Sequence, residues 1–191
     1  MIQETINFEN IESKLAATLS SDKYKILVDK VLKNKKIFLI GNGGLGYVAA
    51  HGSADMSRLI PGKAFYSFDS AGFITSNAND FGFDSLFVRW LETIVQDVEK
   101  PEEVLIIGLS CSGNSHNVVD ALAWAHDLGY DTFMMSGVKS KNLLPHLDEM
   151  VLDCKYFHTV EVLSLMVFYD LIIKCGSHCP TIAKEIERKG F

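Results

Sequence analysis

Two loops carry the residues whose chemistry is easiest to name. The first, Ser110-Cys111-Ser112-Gly113-Asn114-Ser115-His116-Asn117, follows the apolar run Val104-Leu-Ile-Ile-Gly-Leu109 and opens onto a helical stretch at Val118. Three hydroxyls, an amide, a flexible glycine and several backbone N–H groups converge there on a helix amino terminus, where the dipoles favour an anion. A phosphate dianion can be held this way without a lysine. The same composition also suits a plain helix cap, because a serine or asparagine there satisfies an orphan N–H. The second loop is Gly41-Asn42-Gly43-Gly44-Leu45-Gly46. It has the spacing of a dinucleotide fingerprint, with Asp69 placed to take a ribose hydroxyl. A nicotinamide enzyme would need more chain to hold its second substrate, and a glycine turn that only tightens a strand-to-helix corner is the other reading. Cys175-Gly176-Ser177-His178-Cys179 contains metal-type donors. A closed zinc site needs four placed ligands, and no second pair is apparent; thiols half-buried at a helix end are the alternative.

Both loops need strands to aim them. Lys36 to Ile40, Ala64 to Phe68, Val104 to Leu109, Thr132 to Ser136 and Met150 to Cys154 read as short buried strands. Between them, helical spacing is expected at about 46–60, 84–98, 115–128 and 158–175. Strands alternating with helices predict an α/β fold, a three-layer sandwich with a five-stranded parallel sheet. Ile11, Leu15, Leu19, Ile26, Leu27 and Val31 recur at helical spacing, so one or two helices precede the first strand. In such an open sheet both loops lie beyond the carboxyl ends of strands, where ligands bind.

Size and composition bound the function. With 191 residues, 48% of them apolar, the chain fits one domain, divided here into an N-terminal helical segment, 1–34, and an α/β core, 35–191. The net charge of -6 argues against a surface that tracks nucleic-acid phosphates. No apolar run suits a membrane span, and Met1-Ile2-Gln3-Glu4-Thr5 lacks the basic start of a secretory signal. Four scattered cysteines suggest no disulfide framework. A soluble cytoplasmic protein, without nucleic-acid or membrane partners, is the expectation.

Gly41-Asn-Gly-Gly44, Ser110-x-Ser-Gly-Asn-Ser115 and Asn79-Asp80-Phe81-Gly82 between them resemble the phosphoheptose isomerases of the SIS (sugar isomerase) superfamily, over residues 30 to 175. The resemblance implies an SIS-type fold and a sugar-phosphate ligand. It assigns substrate contacts to Asn42, Gly43, Gly44, Asp80, Ser110, Ser112, Asn114 and Ser115, with Cys111 in place of the usual threonine and Leu45 in place of a serine. Asp80 would recognise a hydroxyl or cap a helix. The family carries a histidine and, four residues later, a glutamate on the helix after the first loop; His51 and Asp55 stand there, on one helix face. Its last helix carries Gln-Glu and then a catalytic histidine, and here the stretch reads Val160, Glu161 and Phe168. His158, three residues before Glu161, offers an imidazole nearby.

The resemblance therefore implies an aldose–ketose isomerase for a sugar phosphate such as sedoheptulose 7-phosphate. Asp55 would be the base, and His51, Glu161 and His158 would handle oxygens. No organic cofactor is required, and a divalent metal such as zinc has lost two of its four ligand positions. A homotetramer with shared active sites is implied, and the apolar positions of the leading helices, with no obvious place in a five-stranded sandwich, agree. The alternative is a non-catalytic regulatory or scaffold protein that keeps only the phosphate grip.

Overall fold

The computed structural model describes residues 6–95 and 103–189. Two helices, α1 (Ile11–Ser20) and α2 (Asp22–Lys33), lead into β1 (Lys36–Gly41), α3 (Gly44–Leu59) and β2 (Ala64–Ser67). Next come α4 (Ala71–Phe81), α5 (Leu86–Val95), β3 (Val104–Ser110), α6 (His116–Asp127), β4 (Asp131–Ser136), β5 (Glu149–Val151), α7 (Phe157–Lys174) and α8 (Ile182–Lys189). All strand pairings are parallel, in the order β2-β1-β3-β4-β5.

The strand period of two sorts the core into the expected layers. Ile37 and Leu39 of β1, with Leu105 and Ile107 of β3, face α2, α3 and α7. Phe38 and Ile40, with Val104 and Ile106, face α5 and α6. Central β3 is buried along its whole length, which is why it reads as an unbroken apolar run.

Three expectations change. The leading helices do find a place in the sandwich, because Tyr24, Leu27 and Val31 are fully buried and Ile11, Leu15 and Leu19 pack against the same cluster. Their apolar positions thus give no argument for a tetramer. Lys30 reinforces the docking by pairing with Asp148 at 3.1 Å and donating to the Thr132 carbonyl at 3.1 Å. Secondly, α4 has no counterpart among the expected helices. Its sequence, with one glycine and two asparagines, has weak intrinsic helix propensity. Ser70 caps it, accepting from the Phe73 N–H at 3.3 Å, and Phe73 and Ile74 dock on the core. Thirdly, the helix expected over 84–98 begins with a tight turn at Phe83–Ser85 before α5; residues 96–98 lie outside the described residues.

Candidate functional site

The strand order places the two loops side by side. From β1 the chain turns through Gly41–Gly44 into α3 on one face of the sheet and moves outward to β2. From adjacent β3 it turns through the serine loop into α6 on the other face and moves toward β4. The diverging connections open a crevice at the topological switch point. Across it Asn42 and Asn117 exchange amide hydrogen bonds, with Asn42 donating at 2.8 Å and Asn117 at 2.9 Å. Asn117 was not singled out in the sequence, where its role depends on two loops far apart in the chain. Asn42 keeps a place in the pocket wall while its amide ties the loops together.

Between the loops lies a cavity of about 260 Å³, walled by Asn42, Gly43, Gly44, Ser110, Cys111, Ser112, Ser115 and Glu161, with Phe157 at its side. Ser110 and Ser115 share a hydroxyl hydrogen bond of 2.9 Å. Ser115 occupies the cap position of α6 but makes no side-chain capping bond, so its hydroxyl faces the pocket's chemistry rather than the helix end. Burial, and then the Glu161 charge, push the Cys111 thiol up to about 11. Asn114 lies outside this wall. Its amide donates to the Ser112 carbonyl at 2.6 Å and its oxygen accepts from the Lys141 N–H at 2.8 Å, so it braces the loop. The segment it leans on is held by buried Glu149, which accepts from Ser136 Oγ and from the Ser140 N–H, both at 2.7 Å, and pairs with Lys139.

Glu161 reaches the pocket from α7. Its carboxylate crosses the first turn of α3 so closely that any side chain at position 44 would collide with it. That carboxylate stands where a dinucleotide would place its pyrophosphate, which counts against the nicotinamide reading. Asp69 lies in a separate cavity of about 330 Å³ on the other side of the glycine loop, beside Phe68 and Phe83.

The His51 and Asp55 pair is elsewhere. Helices α3 and α7 run alongside one another, with Gly44 against Glu161 at one end and Gly52 against Phe168 further along. His51 follows Gly44 by about 10 Å along the helix axis and Asp55 by about 16 Å, at the usual helical rise. There His51 Nε2 is 3.3 Å from Asp55 Oδ2, and Arg58 Nη2 is 3.0 Å from Asp55 Oδ1. Tyr169 completes the group: its hydroxyl donates to Asp55 Oδ2 at 3.2 Å and lies 3.3 Å from His51 Nε2. Burial, and then the Asp55 charge, hold the Tyr169 phenol above its ordinary value. Phe168 is sealed in the core at 1% exposure, and Val160 is equally enclosed at 2%. Tyr169 lies eight residues beyond Glu161 on α7, within the i, i+4, i+8 row of one face, but Phe168 at i+7 is aligned with Glu161 more closely, so spacing alone does not select it.

The remaining candidates are dispersed. His158 bonds the Asn7 carbonyl through Nε2 at 2.8 Å and sits between the rings of Phe8 and Tyr156. It fastens the leading segment rather than entering the pocket. Nearby, the Glu9 carboxylate accepts the Lys155 N–H at 2.9 Å and the Tyr156 N–H at 3.1 Å. Burial acts to raise the Glu9 carboxyl, but these bonds prevail and hold it below its usual value. Asp80 is exposed in the last turn of α4, where it accepts from the Asn79 amide at 2.8 Å. A carboxylate at that end cannot cap the helix. Cys175, His178 and Cys179 form no metal-holding group, and among the described residues no three His, Cys, Asp or Glu side chains converge to hold an ion. His51 and Asp55 offer two metal-type donors, and the place beside them is filled by a protonated phenol, so the residues present do not fit a zinc site.

No family model matches the chain. The parallel sheet and its two loops define an α/β protein of the sugar-isomerase (SIS) fold. The phosphoheptose isomerase of Neisseria gonorrhoeae superposes with a TM-score of 0.71 over 88% of this chain and 92% of its own, at 19% identity. In sequence, the phosphoheptose isomerase of Geobacter sulfurreducens is 31% identical over 136 residues, 68% of each chain. That of Aliarcobacter butzleri is 38% identical over 120 residues, 59% of this chain and 60% of the relative, so the match spans about 60% of that relative's length. The chain belongs to the phosphoheptose isomerase family.

Proposed function

We propose that this chain is an aldose–ketose isomerase for an open-chain sugar phosphate, with sedoheptulose 7-phosphate as the leading substrate. The observation that carries the reading is the lysine-free pocket at the switch point, where Ser110, Ser112 and Ser115 face Gly43 and Gly44. The phosphate binds on the serine-loop side, at the amino end of α6, while Glu161 on the Gly44 side is aligned on the sugar hydroxyls. Moving a proton between C1 and C2 through an enediol needs a positioned base, and Asp55 takes that role with His51 beside it. No organic cofactor enters the reaction.

The distance from pocket to base along α3 supports a homotetramer in which one copy's Asp55 group serves another's phosphate pocket. His51, with a side chain 55% exposed, is available to such a neighbour. Four free thiols suit a reducing cytoplasm. Proton exchange at C1 of sedoheptulose 7-phosphate in deuterated water, followed by NMR alongside light scattering, tests the reading. Exchange with aldose formation by a tetramer is expected.

A second reading, binding without catalysis, is favoured by one observation: Phe168 is sealed where the family carries its catalytic histidine. A sugar phosphate that raises the melting temperature but exchanges no proton would establish it and overturn the isomerase.

A further inference from the structure

An isomerase must move protons on oxygen as well as on carbon. The carbon base has a candidate in Asp55, whereas the group for the oxygens is missing from its family position, because the Phe168 ring is packed against Gly52. The next residue on α7 is turned about 100° from it and also reaches α3. Tyr169 presents its hydroxyl 3.2 Å from Asp55 Oδ2 and 3.3 Å from His51 Nε2, at the partly open end of the α3–α7 groove.

We infer that Tyr169 is the acid and base for the sugar oxygens, in the role that the residue at 168 cannot fill. The inference rests on the isomerase reading. Asp55 takes the C1 proton of the ketose, and the C1–H electrons form the C1–C2 double bond. The carbonyl electrons at O2 take the phenolic proton, leaving an enediol and a phenolate. The phenolate then takes the O1 proton as the C1–O1 double bond forms, and Asp55 returns its proton to C2. Both groups end as they began. His51, with its proton on Nε2, donates to the phenolate while it exists. A phenol held above its ordinary value by burial and by Asp55 stays protonated until a substrate oxygen draws the proton.

The test compares the wild type with Tyr169→Phe, which keeps the ring and removes the hydroxyl. With sedoheptulose 7-phosphate, kcat should fall by about 100-fold or more, the scale of general acid–base catalysis, with KM unchanged. A purely structural role would not move the pH profile, so 3,5-difluorotyrosine is placed at position 169 to lower the phenol's pKa at nearly constant shape. The alkaline limb of kcat should then shift to lower pH. The groups facing Tyr169 are His51, Asp55 and Arg58 from α3 and Cys179 beyond α7. Cys179 is the other ionisable group facing the phenol from beyond α3, and Cys179→Ser should leave the limb in place. A Tyr169→Phe enzyme with near wild-type kcat, or a limb that ignores fluorination, overturns the assignment while the isomerase stands. A wild type that exchanges no proton overturns both.

Discussion

The two ends of the α3–α7 pair are built by different means. At the Gly44 and Glu161 end the chemistry is mostly backbone and hydroxyl, fixed by loops between rigid strands and tied across the crevice by Asn42 and Asn117. At the Asp55 and Tyr169 end it depends on side chains from two helices meeting in register. The first kind of site follows from a loop's composition and place. The second depends on which side chain of two packed helices reaches a given point, and here that side chain is Tyr169.

Asp55→Asn should separate the ends most sharply. It keeps the shape and removes the proposed base, so turnover should fall by about 100-fold or more while the phosphate-induced rise in melting temperature persists. Loss of both would mean that the two ends are one unit. Ser112→Ala with Ser115→Ala attacks the other end: the thermal shift with sugar phosphate should vanish, while the protein without ligand should melt only a little lower, because buried Ser110 loses its hydroxyl partner. Gly52→Ala acts between them. The added methyl would lie 2.5 Å from the Phe168 ring, and overpacking of that kind costs about 1–3 kcal/mol. It should lower the melting temperature and, by displacing α7, reduce turnover more than phosphate binding. Equal loss of both would show that the ends are not mechanically separate.

The smallest effect is expected far from either end. Burial acts to raise the Asp131 and Asp148 carboxyls, but bonds from Asn34 and Lys33, and from Lys23 and Lys30, outweigh it and hold both below the ordinary aspartate value. A carboxyl depressed in the folded state stabilises it above the unfolded value and loses that contribution as pH falls through the folded one. The melting temperature should therefore hold from neutral pH to about 5 and decline from about 4 downward. Asp148→Asn should flatten part of this decline and cost roughly 2 °C at neutral pH. Phosphate binding should not respond. If it did, the docking of α2 would have to be counted as part of the pocket.

How much was legible followed the same division. The strands announced themselves as apolar runs, and β1 and β3 began within a residue of expectation. The serine loop was readable because its hydroxyls are contiguous. Helix α4 was hidden because docking of Phe73 and Ile74, rather than propensity, holds it. His158 looked usable from spacing alone, but its partners, Asn7 and Phe8, lie at the far end of the chain. Tyr169 is masked in the sequence because the family's histidine position is its neighbour, Phe168. A helix rotates by about 100° per residue, and only the packing of Phe168 into the space left by Gly52 decides which neighbour reaches the groove.

The hold of Glu9 on the start of α7 also orders events during synthesis. The contact from Glu9 to the Lys155 N–H closes a separation of 146 residues, so the segment before α1 must wait for the start of α7. Until α7 emerges, one face of the sheet lacks Leu163, Val167, Leu171 and Ile172, and α1 has only α2 and an open apolar surface to rest on. A nascent chain stalled before residue 157 would expose that face to chaperones or to other chains. Emergence of α7 therefore completes this face of the core and fastens the segment before α1 in the same step.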